Sequence, residues 1–161
     1  MQERGFSLIE LLVVIAIILV IAAIAIPGLL RSRIAANEAS AVSSVRTINT
    51  AQVTYATAYP TLGYATTLNE LASPVSGPTS STNAGVLDWV LGCTTAICPK
   101  SGFNFTLTNI SGSPAVSGYT VWAYPITNGT TGYRGFCSNN LNPIMYDPAG
   151  LSLTNCTVPL Q

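Results

Sequence analysis

Phe6-Ser-Leu-Ile-Glu10-Leu-Leu-Val-Val-Ile-Ala-Ile-Ile-Leu-Val-Ile-Ala-Ala-Ile-Ala-Ile26 decides how the rest of the chain is read. Over these 21 residues only Ser7 and Glu10 are polar, and Leu11 to Ile26 is an unbroken apolar run of 16. At about 1.5 Å per residue the segment makes a helix roughly 30 Å long, the hydrocarbon thickness of a bilayer. It is expected to span a membrane. A secretory signal peptide carries a small-residue cleavage site after its apolar core. Here Pro27-Gly-Leu-Leu-Arg31 follows, a poor site of that kind, and the short polar stretch Met1-Gln-Glu-Arg-Gly5 comes first. A plain signal anchor fits the hydropathy but not Glu10. A carboxylate in a spanning helix costs about 2.5–3.5 kcal/mol near the bilayer centre, less toward an end, and is normally kept only with a partner. Cleavage after Gly5 would create such a partner: the new α-amino group of Phe6, one turn away or on a neighbouring copy. The positive end of the helix dipole favours a carboxylate there as well.

The rest of the composition agrees with a membrane or a packed assembly. The 161 residues amount to one domain's worth, with six Lys+Arg, six Asp+Glu and no histidine. Charged residues are 7%, against about 25% in ordinary soluble proteins, and mean hydropathy is +0.46. The neutral balance lacks the basic face of a nucleic-acid binder. Without histidine, Ser-His-Asp and Cys-His catalysis and every His-bearing zinc site are excluded. Past Arg46 the only charges are Glu70, Asp88, Lys100, Arg134 and Asp147, which leaves an enzyme only a Ser-Lys or lone-carboxylate arrangement. No catalytic residue and no cofactor is expected. Cys93, Cys98, Cys137 and Cys156 form an even set, better read as disulfides of an exported chain than as a metal site, because paired C-x2-C elements are missing. Ser138–Asp147 offers a calcium loop a single carboxylate, and no C-x-x-C-H haem motif occurs, so no metal is expected.

Gly5-Phe-Ser-Leu-Ile-Glu10-Leu-Leu-Val-Val-Ile-Ala, followed by Ile24-Ala-Ile-Pro27, resembles the prepilin signature shared by type IV pilins and type II secretion pseudopilins. The resemblance implies that a prepilin peptidase cuts between Gly5 and Phe6 and methylates the Phe6 amine. It also implies that Glu10 pairs with the terminus of an adjacent subunit, setting register, and that the helix becomes the core of a filament. The division it suggests is a leader over 1–5, a long helix over 6–60 with 6–30 as membrane span and filament core, and a head over 61–161. The implied function is a structural subunit of a type IV pilus, held in the inner membrane before assembly; the alternative is a pseudopilin of a short periplasmic pseudopilus. Implied partners are further copies of the chain, the peptidase and a pilus or secretion assembly platform. Arg31 and Arg33 after the span balance Arg4 and the initiating amine before it, so charge alone gives no orientation. Disulfides need the C-terminal part outside the cytoplasm, which leaves the leader inside; the resemblance then implies a periplasmic head and later an extracellular filament.

Beyond the span, Leu29 to Tyr59 contains no proline or glycine and reads as helix. Ile34, Ala41/Val42, Val45, Ile48, Ala51, Tyr55 and Ala58/Tyr59 recur at three-to-four spacing as one apolar stripe, with Arg33, Ser40, Ser44, Thr47 and Thr54 opposite. A rod of roughly 80 Å from Phe6 to Tyr59 results, ended by Pro60. Pro27 and Gly28 should kink or locally melt it. In the head, Leu68–Leu71 suggests a short helical turn and Val86–Leu91 a strand or a turn. Phe103–Ile110, Tyr119–Tyr124, Tyr133–Cys137 and Ile144–Tyr146 suggest an antiparallel meander of three or four strands. The expected fold is α+β, a pilin-like ladle with the long helix packed on a small antiparallel sheet. Type IV pilins commonly carry a C-terminal disulfide loop, whereas major pseudopilins typically have a carboxylate-rich calcium loop and no disulfide. The favoured pairs are therefore Cys93 with Cys98 and Cys137 with Cys156. Asn104, Asn109, Asn128 and Asn155 begin Asn-x-Ser/Thr sequons, which with 11 asparagines in a Ser/Thr-rich chain carry little weight for glycosylation.

Overall fold

In this computed structural model the described residues are 6–141, 143–150, 156 and 158–160; the expected leader, 1–5, lies outside them. With strong helix formers and apolar β-branched residues on one side of Pro27 and an Ala-rich stretch on the other, helix α1 runs over Leu8–Ala58. The chain stays helical through Pro27 and Gly28, where a kink or local melting was expected. Proline withholds a single donor, the N–H that would reach the Ala23 carbonyl, and the turns on either side continue. Ser32 Oγ donates to the Gly28 carbonyl at 3.0 Å.

By contacts the chain divides after Arg33 into two units. The first is bare helix: every large apolar side chain from Phe6 to Leu30 is exposed. Its apolar stretch is long enough to cross a membrane.

The second unit, from Ile34 onward, contains the remainder of α1 and the sheet. Ile34, Ala41, Val42, Val45, Ile48, Ala51 and Tyr55 are buried along α1, while Ala58 is exposed and Tyr59 half-buried. One expectation is corrected. Ser44, assigned to the polar side, is buried, and so are Glu38, Asn49 and Gln52. The sheet and loops cover a wider arc of the helix than its apolar stripe, which is tolerable because the long polar side chains find partners. Asn49 Nδ2 donates to Ser138 Oγ at 2.7 Å, and Asn49 Oδ1 accepts from the Tyr119 hydroxyl at 3.2 Å. Burial, with Tyr64 adding to it, pushes the Tyr119 phenol up to about 12, so it remains a donor. Gln52 accepts the Ala65 N–H at 2.8 Å and donates to the Ala65 carbonyl at 3.1 Å, closing the loop after α1 as a strand partner would.

Helix α2, Leu68–Leu71, starts at Thr67, whose side chain accepts the Glu70 N–H, and sends Leu68 and Leu71 into the core. Val86–Leu91 is a turn in which Asp88 Oδ1 accepts the Leu91 N–H at 2.8 Å. Among the described residues six strands follow: β1 Cys98–Lys100, β2 Phe103–Ser111, β3 Gly118–Pro125, β4 Gly135–Asn139, β5 Met145–Asp147 and β6 Val158–Pro159. They lie side by side in chain order, each antiparallel to its neighbour. The expected three or four strands thus become six. Cys-Pro-Lys and Val-Pro are too short to show alternation and are recruited by an existing edge.

Alternation sorts the two sheet faces. Tyr119, Val121, Ala123 and Phe136 join Phe103 and Phe105 in the core beneath α1, whereas Trp122 and Cys137 turn the other way and pack with Cys156. Cys93 is bonded to Cys98, and Cys137 to Cys156 across a sequence separation of 19. The second bond ties the C-terminal tail to the middle of β4. Replacing Cys137 and Cys156 together by serine is expected to lower stability by about 3 kcal/mol on chain-entropy grounds, read as a shifted urea midpoint. An unshifted midpoint would show that the tail is held without the bond.

Candidate functional site

The first turn of α1 concentrates the residues singled out from sequence. Because the helix begins at Leu8, Ser7 occupies the N-cap and Glu10 the third helical position. The Ser7 N–H donates to Glu10 Oε2 at 2.9 Å, and the Leu11 N–H reaches the Ser7 carbonyl at 3.3 Å. This is the carboxylate half of a capping box, signalled by Ser7-Leu-Ile-Glu10 and not drawn from it in the sequence reading. Its consequence is positional. The carboxylate is folded back toward the chain's N-terminal end by a neutral donor, beside an exposed Phe6. An ammonium brought to this end meets an acceptor already held in place. Gly5, the other residue of the expected cleavage junction, lies outside the described residues.

An ion pair between α1 and the sheet, Glu38 with Arg134, has no counterpart among the site residues expected from sequence. Glu38 is buried in the gap that the apolar stripe leaves between Ile34 and Ala41. Its Oε1 accepts the backbone N–H groups of Tyr133 at 3.0 Å and Arg134 at 3.1 Å; its Oε2 accepts Arg134 Nε at 2.9 Å and Nη2 at 2.7 Å. The guanidinium also lies 5.7 Å from the Phe136 ring centre and 5.6 Å from that of Tyr146. Burial by itself would raise the Glu38 carboxyl, but the Tyr133 N–H and then the Arg134 side chain and N–H outweigh it and hold it below the usual carboxylate range. The signal was the missing apolar residue at 38.

Of the sequons, Asn109 is exposed at the end of β2, Asn104 is half-buried inside β2, and the Asn128 amide is engaged by the Ala149 carbonyl at 2.8 Å. Asn155 lies outside the described residues.

A long N-terminal helix whose first turn holds a carboxylate, followed by a six-strand antiparallel sheet, is an α+β architecture of the pilin-like kind. Residues 1–26 match the prokaryotic N-terminal methylation motif, the signature of type IV pilins and pseudopilins. No curated protein and no solved structure matches the chain. The signature implies a structural subunit that is processed by a prepilin peptidase and assembled. Together with the exposed apolar helix it points to membrane anchoring.

Proposed function

We propose that the chain is the structural subunit of a type IV pilus. Cleavage between Gly5 and Phe6 and methylation of Phe6 convert the membrane-held precursor into an assembly-competent form. The division that follows is a leader over 1–5, a helix over 6–60 and a head over 61–161. With the disulfides in an oxidising compartment, the head resides in the periplasm and then on the filament outside the cell. Assembly exchanges partners: the surface from Phe6 to Pro27, in lipid before assembly, becomes buried against identical rods, and Glu10 is neutralised by the Phe6 amine of a neighbour. An unpaired carboxylate would be costly at a dry filament axis, so the pair sets register.

The observation that carries the pilus reading over the pseudopilus is the bond from Cys137 to Cys156, which ties the tail to the sheet as C-terminal disulfide loops do in type IV pilins. Shearing the cell surface tests it. The chain is expected in the long-filament fraction; recovery only with membranes would favour the pseudopilus. Gly5→Val should block processing, leaving a leader-bearing band on a gel, and a band of mature size from this variant would remove Gly5 from the junction.

A further inference from the structure

The unit from Ile34 onward carries two different surfaces that could meet between copies. One presents Trp89, 78% exposed on the rim of a recess that the fully exposed Val75 also lines, with Asp88 next to it in the chain. Asp88 reaches Lys100 at 3.5 Å, but both side chains are substantially exposed, so this pair is weak and the carboxylate is available to another cation. The other surface is a groove of roughly 610 Å³ whose lining includes Arg46, Val53, Ile144 and Leu160. Arg46 is exposed and has no ion pair with any described residue. Val53, Ile144 and Leu160 supply an apolar wall beside that cation.

Their placement rules out one chain satisfying itself. Pro99 of β1 lines the recess around Trp89, while Ile144 and Leu160 flank β5 and β6, and the sheet order puts β1 and β6 at opposite edges. Five strand spacings of about 4.8 Å separate those edges, roughly 24 Å. An exposed tryptophan beside an acid near one edge therefore lies across the sheet from a groove in which Val53, Ile144 and Leu160, with Asn49, Thr50 and Thr54, surround a base.

We propose that the Asp88–Trp89 turn of one copy docks in the Arg46 groove of the next, with Trp89 against Val53, Ile144 and Leu160 and Asp88 against the guanidinium. This deepens the filament reading above and rests on it. Because the Trp89 turn and the groove are different surfaces, the contact is heterologous and leaves one of each free at the ends, which propagates an open helical array instead of closing a dimer. Tryptophan and arginine are also the side chains that most often dominate an interface energetically.

The test places a photo-crosslinker in the full-length chain as Trp89→p-benzoylphenylalanine, in cells also expressing the wild-type chain, so that a crosslink between copies is told from one within a chain by its doubled mass. Illumination is expected to join position 89 to Val53, Ile144 or Leu160 of a second copy. Arg46→Glu should lower that yield about tenfold, and adding Asp88→Arg to it should restore most of the yield. Crosslinks only elsewhere, crosslinks only within one chain, or a yield indifferent to Arg46→Glu would overturn the docking. Filaments without this crosslink sink the docking alone. A chain missing from sheared filaments but crosslinked in this way in membranes sinks the pilus reading and supports the docking.

Discussion

Glu10→Ala is expected to leave processed protein in the membrane and reduce surface filaments by a hundredfold or more. The magnitude follows from a desolvated amine left without its partner, about 3–5 kcal/mol at each subunit, of which about 2.7 kcal/mol already amounts to a hundredfold. The first-turn geometry adds a control. Because the Ser7 N–H binds Glu10 Oε2 at 2.9 Å, alanine removes both a helix cap and a charge. Glu10→Gln keeps an acceptor for Ser7 and removes only the charge. If charge pairing sets register, glutamine fails nearly as badly as alanine. Filaments from the glutamine variant at wild-type level would assign Glu10 to capping, and filaments from alanine would remove it from assembly altogether.

Glu38→Ala should be the most damaging single polar substitution in the unit from Ile34 onward. It leaves the Tyr133 and Arg134 N–H groups and the Arg134 guanidinium without their acceptor, a loss of about 3 kcal/mol. Glu38→Gln preserves part of the acceptor set and should cost about half of that. The pH dependence has a definite sign. A carboxyl held below its ordinary value of 4.5 in the folded state contributes stability that is fully present above that value and is lost as pH falls through the folded value. Urea midpoints of the full-length chain in detergent should therefore drop more steeply below about pH 4.5 for wild type than for Glu38→Gln. Parallel curves would mean that the charge of Glu38 adds nothing to its hydrogen bonds.

The α+β class was legible because two periodicities were strong. The stripe from Ile34 to Tyr55 and the alternation of Phe103–Ile110 and Tyr119–Tyr124 each report a buried face, and all lie where helix and sheet are found. β1 and β6 were not legible: their two or three residues pair through backbone groups, which leave no mark on side-chain pattern. Ser44 was misplaced because hydropathy ranks side chains by polarity, whereas burial here follows the width of the covering sheet. Glu38, Asn49 and Gln52 escaped for a related reason, since what permits their burial is a partner far away in sequence, such as Ser138 or Arg134. In the first turn the cost of burying Glu10 in a membrane span was readable from the sequence. The contact with Ser7 needed only the Ser-x-x-Glu spacing, which the attention given to Phe6 obscured.

On the pilus reading proposed above, the chain is a processed filament subunit that begins at Phe6. The most direct measurement is mass spectrometry of the intact protein in sheared surface filaments. The expected species begins at Phe6, carries one methyl group on its amine and keeps both disulfides. A filament protein that still begins at Met1, or one cut elsewhere, would contradict it.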